Sequence, residues 1–198
     1  MRILQTAHLT KQYVHGTNLI NALDDVNLSI EQGEFIAITG ASGSGKSTLF
    51  HILAGLGRPT SGRVIIDKFD LRKLSADDLT VFRRRRVGFI SAKPLSYNLV
   101  PVLNVYENLI LPILLDAKEP DDEFIQKLVS LLGLEKNLRD MPGVLSDNQR
   151  LRVAIARALA AKPAILLMDE PSDCLDDKDS ENIIDLLNVI NKKFHQTI

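Results

Sequence analysis

The stretch that most constrains the fold of this chain is GASGSGKST, residues 40–48, which lies between the apolar run FIAIT and the helix-forming segment KSTLFHILAG. It fits the phosphate-binding pattern G-x-x-x-x-G-K-[ST] at Gly40, Gly45, Lys46 and Ser47. Glycines let backbone N–H groups face phosphate oxygens, and the positive end of the following helix points at the same place. The alternative is a Gly/Ser loop without a ligand, but the buried parallel strand and the helix predicted on its two sides favour a phosphate loop.

The residue types of this loop suit a nucleoside triphosphate bound together with Mg²⁺. Lys46 supplies a positive charge to the outer phosphates, and the Ser47 hydroxyl is a ligand for the metal ion. We expect the whole loop to line the nucleotide, with these residues: Gly40, Ala41, Ser42, Gly43, Ser44, Gly45, Lys46, Ser47 and Thr48.

A second apolar run, ILLMDE at 165–170, delivers two carboxylates to the edge where open α/β sheets bind ligands. Asp169 would complete the Mg²⁺ site, through water, because Mg²⁺ keeps much of its hydration shell. Glu170 follows directly and is the candidate catalytic residue, since a carboxylate there can orient or deprotonate an attacking water. Two acids that merely cap the next loop are the alternative, which the nearby phosphate loop makes less favourable.

Strands and helices alternate along the rest of the chain. ILQTAHLTKQY and ALDDVNLSIEQ alternate apolar and polar residues, as strands do, and RVIID and VGFI are further strands. Ser75 is the predicted N-cap of the helix in SADDLTVFRRRR. A long amphipathic helix, DKDSENIIDLLNVINKKF, has one predicted apolar face, formed by Ile183, Ile184, Leu187 and Ile190.

This alternation predicts an α/β fold with a largely parallel central sheet. An N-terminal antiparallel β part comes first, and a helical subdomain at approximately 99–161 is inserted into a single domain that spans 1–198. The final letters QTI could open one more strand, so we expect the last strands of the sheet to be missing from this chain.

Composition limits the partners and the compartment. A net charge of −1 favours neither nucleic acid nor an anionic membrane. The single cysteine, Cys174, suits a reducing cytosol. The most apolar segment, LVPVLNVYENLILPILLD, contains polar residues and a proline, so it spans no membrane, and any membrane link must come through a partner. We interpret the one dense basic run, RRRR at 83–86, as a solvated helix end.

The motifs together resemble the ATP-binding subunits of ABC transporters over nearly the whole chain. LS..Q…RVAIARAL and DEPS.CLD carry this resemblance, while FRRRRVGFI and PVLNVYENLILP are similar to the branch that serves FtsX/MacB-type permeases, which handle antimicrobial peptides, macrolides or lipoproteins.

The resemblance implies ATP and Mg²⁺ as cofactors and ATP hydrolysis coupled to transport, with export as the direction of transport in that branch. It implies two protein partners, an integral-membrane permease and a second ATP-binding subunit in a homo- or heterodimer, with no nucleic acid. The chain would lie at the cytoplasmic face of the plasma membrane, peripherally, through the permease. The resemblance also implies that Tyr13 stacks on adenine, although a lone aromatic residue is more often part of the core. It further implies that Asp176 lies in the loop that crosses to the partner subunit.

The first departure from the family pattern is VLSDNQ, in which Asp147 and Asn148 replace the two glycines of LSGGQ. In the family this loop caps the γ-phosphate held by the partner subunit, and a β-carbon prevents close backbone approach. Asp147 also brings a negative charge, which at ~4 Å and an effective dielectric of ~20 costs roughly 4 kcal/mol before screening. Both residues are good helix N-caps, so we expect the helix to persist while the phosphate contact weakens.

Two further departures affect the chain's own pocket. Ala92 stands near the place of the family's glutamine, in the altered segment SAKPLSYNLVP. Lys93, Ser96 and Tyr97 are the candidates to substitute for the glutamine. The chain also ends before the family's γ-phosphate-contacting histidine, and His195 precedes that strand, so His195 is not assigned the role.

The sequence therefore predicts an ATP-binding subunit of an ABC exporter that binds MgATP and whose hydrolysis is impaired. Two alternatives stay open: a non-catalytic ATP-binding or regulatory protein of the same fold, and a soluble ABC-type ATPase that acts on DNA or ribosomes. The near-neutral charge and the permease-branch motifs count against the second alternative.

Overall fold

A computed structural model of the protein describes residues 1–16, 18–91, 99–171 and 175–198. The strands are β1 Arg2–His15, β2 Asn18–Glu31, β3 Ser61–Ile66, β4 Phe69–Asp70, β5 Val87–Ile90 and β6 Ile165–Met168. The α-helices are α1 Lys46–Leu53, α2 Ala76–Arg86, α3 Val105–Leu114, α4 Asp122–Leu132, α5 Asp147–Ala160 and α6 Asp177–Phe194. Short 3₁₀ turns lie at Leu71–Lys73 and Pro142–Val144.

The strands form an antiparallel and a parallel sheet. The antiparallel sheet has the order β2-β1-β3-β4. In the parallel sheet β5 pairs with β6, with Val87 opposite Ile165 and Ile90 opposite Met168. Thr197 extends this sheet through a parallel bridge to Ile165, so QTI does enter the sheet as predicted. The predicted α/β architecture, with an antiparallel N-terminal part beside a parallel sheet, is confirmed.

The predicted strand FIAIT is wrong, because no strand is assigned to residues 35–39. The backbone of this segment is hydrogen-bonded to Ile198, whose carbonyl accepts from the Ile36 N–H at 2.9 Å. The Ile198 N–H donates to the carbonyl of Glu34, the residue just before the segment, at 3.0 Å. A strand needs a neighbour that pairs over several residues, and two hydrogen bonds to one residue do not supply it. A cleft of about 240 Å³ separates this segment from β6 and is lined mainly by apolar side chains.

The helices mostly follow the sequence prediction. Ser75 caps α2, with its hydroxyl accepting from the Asp78 N–H. In α6 the side chains of Ile183, Leu187 and Ile190 are buried, whereas Ile184 is 42% exposed and does not belong to the core face. Of the helices in the described ranges, none has the combined length and apolar character that crossing a bilayer requires.

The arginine run at 83–86 ends α2, as the sequence suggested, and Arg85 and Arg86 are exposed, but the run also makes contacts that the sequence did not predict. Arg84 and Arg85 both bind Asp116, which follows α3, at 2.5 and 2.6 Å. Arg86 binds Asp67 at 3.1 Å, and Arg83 donates to Gly55 O at 3.0 Å. The run joins α2 to other elements because the end of α2 lies beside the residues after α3, where guanidinium groups meet a carboxylate.

Candidate nucleotide-binding site

The loop at 40–48 has a backbone that only glycine fits at two positions. Gly43 and Gly45 have φ of 80° and 91°, in the left-handed region. A β-carbon on Gly45 would lie 2.1 Å from Ala22 O, so a side chain at this position would collide with β2. Ala22 is skipped in the pairing of β1 with β2, between the pairs Lys11–Leu23 and Gln12–Asn21. The β1–β2 hairpin therefore approaches the loop at the site of this irregularity.

Helix α1 begins at Lys46 with no side-chain cap, since its N-cap residue is Gly45. The first amides of a helix have no intrahelical acceptor, and the helix dipole adds positive potential at the same end. Gly45 leaves these amides accessible to an anion. The geometry therefore suits a phosphate group at the start of α1.

Lys46 is held at the mouth of the loop. Its ammonium donates to Gly40 O at 2.8 Å and to Ala41 O at 3.1 Å, and its side chain is 18% exposed. The Nζ atom lies 4.0 Å from Oε1 of Glu170. The positive charge is thus fixed between the phosphate loop and the acidic end of β6.

Two oxygen ligands meet between the phosphate loop and β6. The Ser47 hydroxyl donates to Oδ1 of Asp169 at 3.3 Å, and Asp169 is 5% exposed. The Asp169 N–H donates to Ile90 O at 2.9 Å, which ties this residue to the end of β5. A hydroxyl and a carboxylate are the hard oxygen donors that Mg²⁺ prefers, so these two residues fit the ion.

Glu170 lies next to this pair and has an unusual backbone. Its φ is 50°, and its side chain is 46% exposed. Left-handed backbone at a non-glycine residue is often found at functional sites, where it aims a side chain that regular structure would place elsewhere. The carboxylate is within reach of solvent and of the Lys46 ammonium.

Tyr13 is not a core residue, since it is 47% exposed. It lies near the end of β1, opposite Ile20 of β2, two residues before Ala22. The Nζ of Lys11 lies 5.0 Å from the centroid of the Tyr13 ring. The structure therefore places the aromatic ring on the same hairpin that contacts the phosphate loop.

The LSDNQ segment opens α5, so the prediction that the helix persists is confirmed. The cap, however, is Ser146, whose hydroxyl accepts from the Gln149 N–H while the Gln149 side chain accepts from the Ser146 N–H. This capping box occupies the N-cap position, so the prediction of Asp147 and Asn148 as caps is wrong.

The side chains of Asp147 and Asn148 bind arginines of the first turns of α5 instead. Asp147 accepts from Arg150 at 3.2 Å, and Asn148 accepts from Arg152 at 2.6 Å. Asp147 and Arg150 are spaced (i, i+3), and Asn148 and Arg152 are spaced (i, i+4). Side chains at these spacings are neighbours on a helix, so the sequence carried a signal for both contacts. The negative charge of Asp147 is therefore partly offset within its own helix.

Other residues singled out in the sequence lie elsewhere. Asp176 caps α6, and its carboxylate accepts from the Asp179 N–H at 2.7 Å. His195 ends α6 with φ of 51°, and its ring lies against Gly33. The remaining expectations concern the altered segment SAKPLSYNLVP and the single cysteine. They rest on residues that lie outside the described ranges, namely Ala92, Lys93, Ser96, Tyr97 and Cys174.

A phosphate loop that opens a helix and faces two acids at the end of a parallel strand defines a P-loop nucleotide-binding protein. The family profile described as "ABC transporter" matches residues 23–173. The chain belongs to the ABC transporter family, as one of its ATP-binding cassettes. Members of this family are ATPases that use ATP with Mg²⁺, and this chain is an enzyme of that class.

Several relatives match nearly the whole chain. An uncharacterized ABC transporter ATP-binding protein, MJ0796 of Methanocaldococcus jannaschii, is 39% identical over 99% of this chain and 85% of its own length. The lipoprotein-releasing system ATP-binding protein LolD of Syntrophotalea carbinolica is 39% identical over 98% of this chain and 84% of its own. LolD of Colwellia psychrerythraea is 36% identical over 96% of this chain and 74% of its own length. These relatives support the FtsX/MacB-type branch that the sequence motifs indicated.

Solved structures have the same fold. A dimeric post-hydrolysis state of MJ0796 bound to ADP and Pi matches with a TM-score of 0.84, at 38% identity over 98% of this chain and 85% of that one. The protein cbiO1 from Clostridium perfringens, part of the ABC transporter complex cbiONQ, matches with a TM-score of 0.84, at 30% identity over 100% of this chain and 76% of that one.

Proposed function

We propose that this chain is the ATP-binding subunit of an ABC exporter, in which ATP binding and hydrolysis drive a partner permease. The observation that carries the proposal is the contact of Ser47 with Asp169 at 3.3 Å, beside an uncapped helix start and the Lys46 ammonium. These groups together supply the donors and ligands that a nucleoside triphosphate and Mg²⁺ need.

The similar proteins support the choice of partners. LolD is the ATP-binding protein of a lipoprotein-releasing system, cbiO1 is part of a transporter complex, and MJ0796 forms a dimer. By this analogy the chain pairs with a second ATP-binding subunit and an integral-membrane permease of FtsX/MacB type. It would then lie at the cytoplasmic face of the plasma membrane, peripherally, without a nucleic-acid partner.

Each residue of the site has a proposed role in binding or turnover. ATP supplies the phosphoryl group that is transferred to water. The loop amides at 40–48 and Lys46 bind its phosphates, while Ser47 and Asp169 hold Mg²⁺. Glu170 orients the attacking water or accepts its proton. Tyr13 provides an aromatic face for adenine; its support is that Tyr13 is exposed and belongs to the hairpin whose residue Ala22 approaches the phosphate loop.

Impaired hydrolysis is part of the proposal, and its basis is the capping loop. Asp147 is exposed and carries a β-carbon where a family member has glycine, so the loop approaches a phosphate poorly. The contact with Arg150 offsets part of its charge but leaves the steric obstacle in place.

The binding assignment is tested by calorimetric titration of MgATP into the parent chain and a Lys46→Ala variant. We expect at least tenfold weaker binding in the variant, because a charge-assisted contact to the outer phosphates is lost. The matched control is Lys136→Ala, which removes an exposed lysine of the helical part and should bind as the parent does. Equal affinity for MgATP in the parent and in Lys46→Ala would show that this loop is not the ATP-binding site.

A further inference from the structure

Lys11 covers one face of the Tyr13 ring. Its Nζ lies 5.0 Å from the ring centroid and donates to Arg58 O at 2.9 Å. Arg58 belongs to the turn between α1 and β3, far from Lys11 in sequence. The ammonium is therefore fixed by a contact outside its own strand, and the half-buried Lys11 side chain cannot swing freely away from the ring.

The strand on both sides of Lys11 is tied to the same turn. Thr60 N–H donates to Thr10 O at 2.9 Å, and Gln12 N–H donates to the Thr60 hydroxyl at 3.0 Å. These contacts fix the residues before and after Lys11. The position of the lysine relative to Tyr13 is thus set by the backbone as well as by its own hydrogen bond.

The two faces of the Tyr13 ring are therefore not equivalent. A cation over an aromatic face is held by the ring's quadrupole, and it occupies the space that a flat base would need. Tyr13 is 47% exposed, so the ring retains surface that the lysine does not cover. A base can stack only on that remaining surface.

We propose that Lys11 is a positioning residue for the nucleotide base. It holds the Tyr13 ring in one orientation, blocks one face and leaves the other for adenine, without contacting the phosphates. The inference rests on the proposed function, since it takes Tyr13 as the stacking partner of adenine. It adds a second residue to base binding and predicts that the effect of Lys11 passes through Tyr13.

The test compares two ligands, ATP and inorganic tripolyphosphate, each with Mg²⁺, in calorimetric titrations of Lys11→Met, Tyr13→Leu and the double variant. We expect Lys11→Met to weaken ATP binding by about two- to fivefold, which matches a cation–π contact at an exposed site. Tripolyphosphate has no base, so its affinity should stay unchanged. In the Tyr13→Leu background, Lys11→Met should have no additional effect on ATP.

Two further variants separate positioning from general destabilisation. Lys11→Arg keeps a cation over the ring and should restore most of the ATP affinity. Lys136→Met removes a lysine of the helical part and should alter neither ligand's affinity. Melting temperatures of all variants without ligand would show whether the hairpin itself has been weakened.

Each contrary result has a distinct meaning. If Lys11→Met weakens tripolyphosphate and ATP by the same factor, Lys11 contacts phosphate and the positioning role is wrong. If Tyr13→Leu weakens ATP while Lys11→Met does not, the inference fails and the proposed function stands. If neither variant changes ATP affinity while Lys46→Ala does, adenine stacking on Tyr13 is itself wrong.

Discussion

At the scale of single residues, Gly45 joins the phosphate loop to the β1–β2 hairpin. The sequence predicted its backbone role from the phosphate-binding pattern. It could not predict the close approach to Ala22 O, because this contact depends on a skipped residue in the pairing of two strands. The (i, i+3) contact of Asp147 with Arg150 was readable from spacing, but whether the side chains meet is decided by their rotamers.

Replacing Gly45 by Ala should destabilise the protein more than replacing Gly43 by Ala. Both substitutions place a β-carbon at left-handed φ, which costs roughly 1–2 kcal/mol. Only the Gly45 β-carbon also collides with backbone, at 2.1 Å, whereas nothing lies within 4 Å of the Gly43 position. Urea unfolding of the two variants measures the difference. Equal losses of unfolding free energy would mean that the loop moves away from β2 at little cost.

At the scale of elements, two of the arginines that end α2 bind Asp116, which lies two residues after the end of α3. Asp116 is 5% exposed and is bound by Arg84 and Arg85. Burial alone would raise the pKa of Asp116, but hydrogen bonds from Arg85 and Arg84 outweigh it, and the pKa lies below its usual range. This cluster fixes the end of the first inserted helix to the α/β part of the chain.

Asp116→Asn should lower the unfolding free energy near neutral pH by about 1–2 kcal/mol, a value reduced for the partial exposure of the arginines. The folded pKa is below the unfolded one, so the contribution is fully present above about pH 4 and is lost as pH falls through the folded pKa. The difference in unfolding free energy between the parent and Asp116→Asn should therefore become smaller at acidic pH. Urea unfolding at several pH values measures it, with the exposed Glu119→Gln as control. A difference that persists unchanged in acid would contradict the ionic origin.

Sequence patterns predicted most of the elements but not their partners. Helix α6 carries a cap and an apolar periodicity that act locally, so its bounds were readable, whereas the inserted region was predicted only as helical and not divided into separate helices. The sequence could not show that FIAIT does not form a strand, because a strand forms only where a neighbouring strand continues the hydrogen-bond ladder. The same limit applies to Arg84 and Arg85, whose carboxylate partner Asp116 lies far along the chain.

At the scale of the whole molecule, the proposed dimer depends on the LSDNQ loop. Restoring glycine at Asp147 and Asn148 removes two side chains and one negative charge from the expected phosphate contact. The capping box of Ser146 and Gln149 is unaffected, so α5 should remain folded. The double variant should form more ATP-dependent dimer than the parent sequence.

Size-exclusion chromatography with MgATP measures this dimer, in a Glu170→Gln background that slows turnover so that the closed form accumulates. A Lys46→Ala variant in the same background should stay monomeric with or without ATP. Equal dimer with Asp-Asn and Gly-Gly would show that the loop tolerates its acid, with the Arg150 contact as the physical reason.

The central claim is that Ser47 and Asp169 hold Mg²⁺ beside the phosphate loop, and the most direct measurement is calorimetric titration of ATP with and without Mg²⁺. Asp169→Asn keeps the shape of the side chain but removes its charge. We predict that Mg²⁺ tightens ATP binding to the parent, and that Asp169→Asn loses most of this increment while its Mg²⁺-free affinity changes little. An equal Mg²⁺ increment in the parent and in Asp169→Asn would contradict the account.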